Sequence, residues 1–404
     1  MTQENNSNNT DIIRTMVRSV YDLQQTRIQD GNRVTGNFKA KLGMKSDGMT
    51  EEQLASADKK LLEQLRTSYK RITDGIIQEG KDSVEGKLPT AKKFVGDELI
   101  SSYAELILVD QYMVLLCAEE KHFTNLNKML KGIPIYDEFL EGVTGCGTAM
   151  SAVLISEIDI TKAEYPSSLH KYAGLDCVIV GKYIDESGKE FIIPAYQVEE
   201  FYKTAMSDMV MMAHGRYPVE LVGVGRSRKE FCLVKKDYIS KDGAAKTRDS
   251  ITFNPFLKTK LIGVLGPSFL KGGKTLVEGS LMGGAKRLEL ASSIGFLKPS
   301  GNAEQVKNAV IDFLKFRGYN VVIENTKYGE IYYQYKFRLQ NDPRHDSKSD
   351  GHRHNMAIRY AVKMFLVDYY SAARRLAGLP VSLTYAEAKL GLVHGKAGGG
   401  KPCM

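Results

Sequence analysis

Apolar residues recur at helical spacing through the first third of the chain, starting with Ile12, Met16, Val20, Leu23 and Ile28. Segments 50–78 and 96–130 repeat this pattern, and the first of them opens on a Thr-Glu-Glu-Gln capping box. We predict three long helices that form a helical hairpin or coiled-coil arm over residues 12–131, after a polar and disordered stretch over residues 1–11. Such apolar stripes either serve packing alone or also mediate a homodimer.

The rest of the chain mixes strand and helix patterns. Residues 178–195 alternate around a Glu-Ser-Gly turn, which predicts a β-hairpin, and a second strand pair is predicted at 230–239 and 248–253. The Gly-rich stretch 272–301 predicts a loop. Together these patterns indicate an α+β, mainly α fold. Its further helices are predicted at 199–213, 254–270, 303–317 and 327–340, with a last one from after Asn355 to Gly378, before Pro380.

Charge divides the chain into two unlike halves. Residues 1–225 carry 25 Lys and Arg against 33 Asp and Glu, a balance of −8, whereas residues 226–404 carry 31 against 15, a balance of +16. The basic half indicates a polyanionic partner, with a solvated lysine surface as the alternative. Arginine and aromatic residues interleaved with the lysines favour nucleic acid.

The segment "VTGCGTAMSAVLIS" (143–156) is typical of a helix-hairpin-helix turn. Its glycines, Gly145 and Gly147, permit a tight turn, and the amides that begin the next helix can hold a phosphate. The alternative is an elbow in which the glycines serve close packing. In "YPSSLHKYAGL" (165–175), Ser167 and Ser168 either cap a helix, which is the more usual role, or reach a phosphate.

Three of the seven histidines lie within ten residues of "DPRHDSKSDGHRHNMAIRY" (342–360). His352 and His354 could ligate a metal together with Asp346 or Asp350, or they could cap a helix. However, Arg353, Arg359 and Lys363 surround them, and positive neighbours oppose a cation and favour phosphate. We therefore expect contacts to nucleic acid, no bound metal and no cofactor.

Signals for an enzyme are weak. No set of carboxylates suggests a metal nuclease, and no serine has a recognisable base. The two lysine-containing glycine stretches, "SFLKGGKT" (268–275) and "GKAGGGKP" (395–402), lack the first glycine and the Ser/Thr of a phosphate loop, respectively. We therefore predict a binding protein that is not an enzyme.

Several blocks of the chain resemble a known family. "GVTGCGTAMSAVLISEIDITKAEYPSSLHKYAGL" (142–175) resembles the Nop domain of box C/D ribonucleoproteins and the C-terminal region of bridge-RNA insertion-sequence transposases. "GRSRKEFCLVKKDYISKDG" (225–243) and residues 328–366 resemble the Tas proteins of TIGR-Tas RNA-guided systems. The chain departs from the transposases in lacking their RuvC-like acidic residues. It also has Gly174-Leu-Asp-Cys177 where the Nop domain has Gly-Ala-Glu-Lys.

The resemblance implies a guide-RNA-binding protein that forms a ribonucleoprotein, binds target DNA through base pairing and has no nuclease of its own. It also implies a homodimer. The domains expected are the arm (12–131), a Nop-like helix-hairpin-helix segment (132–177), an insertion with a β-hairpin (178–224), a basic C-terminal region (225–392) and a flexible tail (393–404).

The expected RNA- and DNA-binding residues fall into two sets. The guide-RNA set is Thr144, Gly145, Gly147, Ser167, Ser168 and Lys171. The set that follows guide and heteroduplex phosphates is Arg226, Arg228, Lys229, Lys258, Lys260, Arg344, His352, Arg353, His354, Arg359 and Lys363.

A transposase, recombinase or metal-dependent nuclease of the bridge-RNA type stays open as the alternative function. No apolar run is long enough for a membrane span, and the polar N-terminus does not resemble a signal peptide. The five cysteines are widely spaced, as in a reducing compartment. We expect a cytoplasmic protein of prokaryotic or phage origin that does not bind membranes.

Overall fold

A computed structural model describes residues 3–44, 51–77, 88–193, 197–198, 212–225, 233–240, 243–282 and 303–384. Within these residues, 60% are helical and 14% lie in strands, in a few small sheets. The predicted α+β, mainly α fold is therefore confirmed. The predicted tail (393–404) lies outside the described residues.

The helices and strands follow one another along the chain in an order that mixes the two types. They are α1 (Gln3–Lys41), α2 (Glu51–Ile77), α3 (Tyr103–Leu130), α4 (Thr148–Glu157), α5 (Pro166–Tyr172), β1 (Cys177–Ile184), β2 (Glu190–Ile193), β3 (Met212–Ala213), β4 (Tyr217–Pro218), β5 (Glu220–Gly225), β6 (Leu233–Ile239), β7 (Ala245–Ile251), α6 (Pro255–Lys260), α7 (Gly266–Lys271), β8 (Lys274–Val277), β9 (Ser280–Leu281), α8 (Ala303–Phe316), β10 (Val321–Glu324), α9 (Lys327–Gln340) and α10 (Asp350–Leu376).

The chain forms two compact units. The first unit contains residues 1–131 and 273–324, and the second contains residues 132–272 and 325–404. This division separates the segment 273–324 from the rest of the predicted basic region (225–392).

Three long helices, as predicted, occupy the part of the first unit that precedes residue 132. α1 runs antiparallel to α3, with Arg27 of α1 paired to Glu119 of α3 and Gln24 donating to the same carboxylate at 2.9 Å. Between the helices lies an apolar core that includes Phe38, Leu65 and Leu106. α1 begins at Gln3, so the backbone of residues 3–11 is helical rather than disordered. Once a helix exists, each added residue gains a hydrogen bond at little cost, even where the side chains are polar.

The start of α3 is fixed by a network of side-chain caps. Ser102 and Glu105 form a capping box, so the helix begins at Tyr103 rather than at residue 96 as predicted. Asp97 holds the preceding turn, because its carboxylate accepts hydrogen bonds from the amides of Leu99 (2.9 Å) and Ile100 (2.8 Å). It also accepts from Ser68 Oγ (2.6 Å) and Arg71 Nη2 (2.5 Å) of α2.

The first unit also contains a small antiparallel sheet in the order β10-β8-β9. Its strands β8 and β9 lie within the stretch 272–301 that was predicted to be a loop, so this prediction is wrong for residues 274–281. Val277 and Val321 pack with Met282, Val310 and Leu314, which places α8 against this sheet.

α10 is the central helix of the second unit. α6, a π-helical turn (Leu261–Leu265) and α7 form one continuous helix, which confirms the predicted helix at 254–270. This helix crosses α10 at Gly266, where a Cβ atom would lie 2.6 Å from Ile358 Cγ2. α9 and α10 form a helical hairpin, and the hydroxyl of Tyr328 donates to Asp368 at 2.8 Å.

The β-hairpins of the second unit follow the predictions closely. β1 pairs with β2 around a turn in which Asp185 accepts from the amides of Ser187 and Lys189, with Gly188 at φ +78°. β5 completes this sheet on the other edge of β1. β6 and β7 form the second predicted strand pair. The predicted helix at 199–213 lies mostly outside the described residues, although its last two residues form β3.

Replacing Asp97 by Asn should lower the free energy of unfolding of the first unit by about 2 kcal/mol at pH 7. Burial raises the pKa of Asp97, but Ser68, the two amides and Arg71 outweigh it and hold the pKa below its ordinary value of 3.8. The stabilisation is therefore complete above that ordinary value and is lost as the pH falls through the lower, folded value.

The measurement is thermal unfolding followed by circular dichroism, with hydrogen exchange of α2 and α3. The difference between wild type and variant should be constant from pH 7 to about pH 5 and should shrink below about pH 4. Glu98→Gln, which changes the exposed neighbouring carboxylate, is the matched control and should have little effect. A difference that persists unchanged at about pH 2 would contradict this explanation.

Candidate nucleic-acid interface

One side of α10 presents a stripe of polar and basic residues, called the α10 stripe here: His352, Asn355, Arg359 and Lys363. Their spacing puts them on one helix face. The first three are exposed and Lys363 is half-buried. α10 begins at Asp350, six residues earlier than predicted, because Ser349 caps it by accepting from the amide of His352 at 3.3 Å.

α5 packs beside this stripe. His170 Nε2 lies 3.2 Å from the carbonyl oxygen of Lys363, which brings two elements far apart in sequence into contact. Lys171 follows His170 and is exposed, and Ser167, one turn earlier on the same helix face, is also exposed. The α10 stripe together with Ser167 and Lys171 is called the α5–α10 surface below.

Lys258 lies at the C-terminal end of α5. Gly174 ends this helix at φ +63°, and a Cβ atom here would lie 2.7 Å from Phe253 Cδ2 and 3.2 Å from Lys258 Cδ. The ammonium of Lys258 sits 4.8 Å from the centroid of the Phe253 ring. The glycine therefore lets α6 approach α5, which brings Lys258 to the end of the helix that carries Lys171.

Aromatic rings accompany these cations, and the sequence predictions did not include them. Tyr172 is 40% exposed, and its hydroxyl accepts from Asn254 Nδ2 at 3.0 Å. Tyr335 and Tyr360 stack at 4.1 Å between ring centroids, with the guanidinium of Arg338 5.9 Å from the Tyr335 centroid. The signal in the sequence is that each ring adjoins basic residues, as in "HKY" and "YQYKFR".

No family model, curated protein or solved structure matches this chain. The resemblance to Tas proteins therefore stays a prediction. Among the helices that the structure describes, none is both long and apolar enough to cross a membrane.

Two residues of the segment 342–360, Arg353 and His354, point away from the α10 stripe. The guanidinium of Arg353 pairs with Asp350 at 3.1 Å and donates to the carbonyl oxygen of His345 at 3.3 Å. His354 Nδ1 lies 2.6 Å from the hydroxyl of the buried Tyr332. Both side chains therefore hold the α9–α10 hairpin together, whereas His352 faces solvent.

Arg344 is exposed, but a carboxylate already occupies its guanidinium. Asp342 accepts from Nε at 3.0 Å and from Nη2 at 2.7 Å, and these contacts lower the pKa of Asp342 to about 2. The same pairing raises the pKa of Arg344. A phosphate would have to displace this internal pair, so Arg344 is a weaker phosphate ligand than its exposure alone suggests.

The glycine turn before α4 packs against α7 and is separate from the α5–α10 contact. Gly145 has φ +97°, and a Cβ atom on it would lie 3.0 Å from both Phe269 Cδ1 and the carbonyl oxygen of Ser268. Thr144 packs against Gly272 in the same region. Gly147 is the N-cap of α4, with open space where a Cβ would lie. The contacts of Gly145 support its packing role, which was the alternative interpretation.

Neither serine of α5 caps the helix. The N-cap is Tyr165, no side chain bonds to it, and the buried Pro166 occupies the first turn. The expectation that Ser167 or Ser168 caps α5 is therefore wrong, because the proline begins the helix one residue earlier.

Lys260 lies on another face of α6 from Lys258, with its ammonium 5.4 Å from the Phe256 centroid. The predicted residues Arg226, Arg228 and Lys229 lie outside the described residues.

Two findings concern metal ligands and thiol chemistry in the described residues. Among the described residues, no three His, Cys, Asp or Glu side chains come together as metal ligands would. Cys146 is buried, and burial raises its pKa to about 11 in spite of a hydrogen bond with Ser151, so its thiol stays protonated at neutral pH.

Replacing Gly174 by Ala should destabilise the second unit by about 2 kcal/mol, because alanine is strained at this φ and its Cβ collides with Phe253. Urea unfolding checks this. Gly263→Ala is the matched control, since no atom lies within 4 Å of the position that its Cβ would take. The control should leave stability unchanged or raise it slightly. Equal effects of the two substitutions would contradict the close approach of α5 and α6.

Proposed function

We propose that this chain binds RNA on the α5–α10 surface and forms a ribonucleoprotein. The observation that carries the proposal is the contact between His170 and the carbonyl oxygen of Lys363. It joins α5, which carries the exposed Lys171, to α10, which carries the exposed Arg359 one turn before Lys363. Two cations from different helices can contact successive phosphates of one strand. Cations on a single helix face are less suited to this.

Lys171 and Arg359 differ from other cations of the second unit in their ion pairing. No ion pair joins Lys171 or Arg359 to another residue that the structure describes. By contrast, Arg344 and Arg353 are paired with Asp342 and Asp350. Cations without an internal partner gain the most from a phosphate, because no existing pair has to be broken.

The exposed aromatic rings favour RNA over other polyanions. Single-stranded bases stack on aromatic faces, and Tyr172 presents a fixed, partly exposed ring directly after Lys171. Asn355 of the α10 stripe adds an exposed amide that can bond to a base or to a ribose hydroxyl. A surface that carries only charge would suit any polyanion equally.

The proposal extends to the role of the bound RNA as a guide. The blocks 225–243 and 328–366 that resemble Tas proteins include β6 and the first part of α10, and the block 142–175, which resembles the Nop domain and the bridge-RNA transposases, includes α5. In this role the RNA selects target DNA by pairing, so the protein needs few side chains that read bases. The helices of residues 12–131 would provide the homodimer contact. The chain itself would not cut the DNA.

Arg359→Gln should weaken the binding of a short single-stranded RNA about tenfold at 0.1 M salt, because one phosphate contact is lost. The slope of log K against log salt should fall by about 0.7. Fluorescence anisotropy with the full chain measures both. Arg375→Gln is the control, since it removes the same charge from an exposed position about 24 Å further along α10. Equal losses in the two variants would show non-specific attraction instead.

RNA that copurifies with the chain from its native host provides the second test. Sequencing should reveal a discrete population of short RNAs that is depleted when Arg359→Gln is combined with Lys171→Gln. An RNA pool that matches total cellular RNA, with the same composition in the double variant, would refute a guide role.

A further inference from the structure

β6 and β7 form a two-stranded ribbon with no third strand among the described residues. Each strand has seven residues and spans about 23 Å. Gly243, at φ +78°, closes the turn between them, and its amide donates to the carbonyl oxygen of Ser240 at 2.9 Å. From 237 to 239 and from 243 to 248 all side chains are exposed, so this end of the ribbon is surrounded by solvent.

The strand register separates charge between the two faces of the ribbon. Residues directly opposite each other share a face, and successive residues alternate between faces. Among the residues whose side chains the structure describes, one face, called the basic face here, contains Tyr238, Lys246 and Arg248, with two cations and no carboxylate, whereas the other contains Asp237 and no cation. Tyr238 pairs with Lys246 on the basic face, whereas Asp237 pairs with Thr247 and Ile239 pairs with Ala245 on the other face.

The basic face is unfavourable for an isolated ribbon. Lys246 and Arg248 lie two positions apart on β7 and share this face, so their like charges repel each other. A two-stranded ribbon is itself marginally stable in water. On the other face, by contrast, Thr247 Oγ1 donates to Asp237 Oδ1 at 3.2 Å. A polyanion bound to the basic face would remove the repulsion and stabilise the ribbon.

We propose that the basic face binds double-stranded DNA through its major groove. This groove is about 12 Å wide in B-form DNA and admits a two-stranded ribbon, whereas the major groove of A-form RNA is too deep and narrow. Arg248, whose guanidinium lies 5.1 Å from the centroid of the Tyr238 ring, is held in place on this face. The DNA contact is additional to the RNA-binding function proposed above and does not require a bound RNA.

The test is binding of the full chain to a fluorescent B-form duplex of about 20 base pairs. Arg248→Gln should weaken binding about tenfold at 0.1 M salt and reduce the salt slope by about 0.9. Lys189→Gln is the control, because it removes one exposed positive charge from the β1–β2 turn and leaves the ribbon unchanged. It should change the affinity by less than about twofold. Equal losses from both substitutions would overturn the proposal, and circular dichroism confirms that both variants fold.

Two further duplexes identify the groove and the polymer. A duplex of the same sequence with glucosylated 5-hydroxymethylcytosine has a filled major groove and should bind at least tenfold more weakly, by the loss of groove contacts. A double-stranded RNA of the same sequence should also bind weakly. Undiminished binding to either of them would overturn the proposal.

Failure of this proposal can be distinguished from failure of the RNA proposal. Arg248→Gln should leave the affinity for single-stranded RNA unchanged, and Arg359→Gln should weaken only RNA binding. If the wild-type chain does not bind duplex DNA while Arg359→Gln still weakens RNA binding, the ribbon proposal alone is wrong. If the duplex results hold and RNA does not bind, the ribbon proposal stands by itself.

Discussion

The second unit depends on a close helix crossing at Gly266. A side chain here would collide with Ile358, so glycine lets the continuous helix 255–271 approach α10. This approach brings Phe269 within 5.5 Å of Phe365, measured between ring centroids, and buries one side of α10 in aromatic packing. Arg359 lies outside this packing and is exposed, so its position follows from the packing of the neighbouring faces of α10.

Most elements could be predicted because they depend on neighbours in the sequence. The β1–β2 hairpin is an example, since Asp185 and Gly188 build its turn locally. Boundaries were wrong where one capping side chain decides them, as Ser349 does for α10. Strand β8 was missed for a different reason. Its partner β10 begins at Val321, more than forty residues further along the chain, and no local pattern reveals such a pairing.

The residue types of the candidate site were predictable, but their grouping was not. His170 and Lys363 are 193 positions apart, and only the folded chain shows their contact. Conversely, His352 and His354 are close in sequence, yet each residue of a helix is rotated by about 100° from the previous one. His354 therefore packs on Tyr332 while His352 faces solvent.

The cations that support the fold differ from those of the two proposed binding surfaces in how they are paired. Lys327 is paired with Asp368, as Arg344 and Arg353 are paired with carboxylates of their own, and these contacts support the fold. The α5–α10 surface and the basic face of the β6–β7 ribbon instead gather cations of like charge. Mutual repulsion lowers the stability of the free protein, and a phosphate backbone relieves it on binding. The charge arrangement that is unfavourable in isolation therefore contributes directly to the affinity for RNA and DNA that we propose.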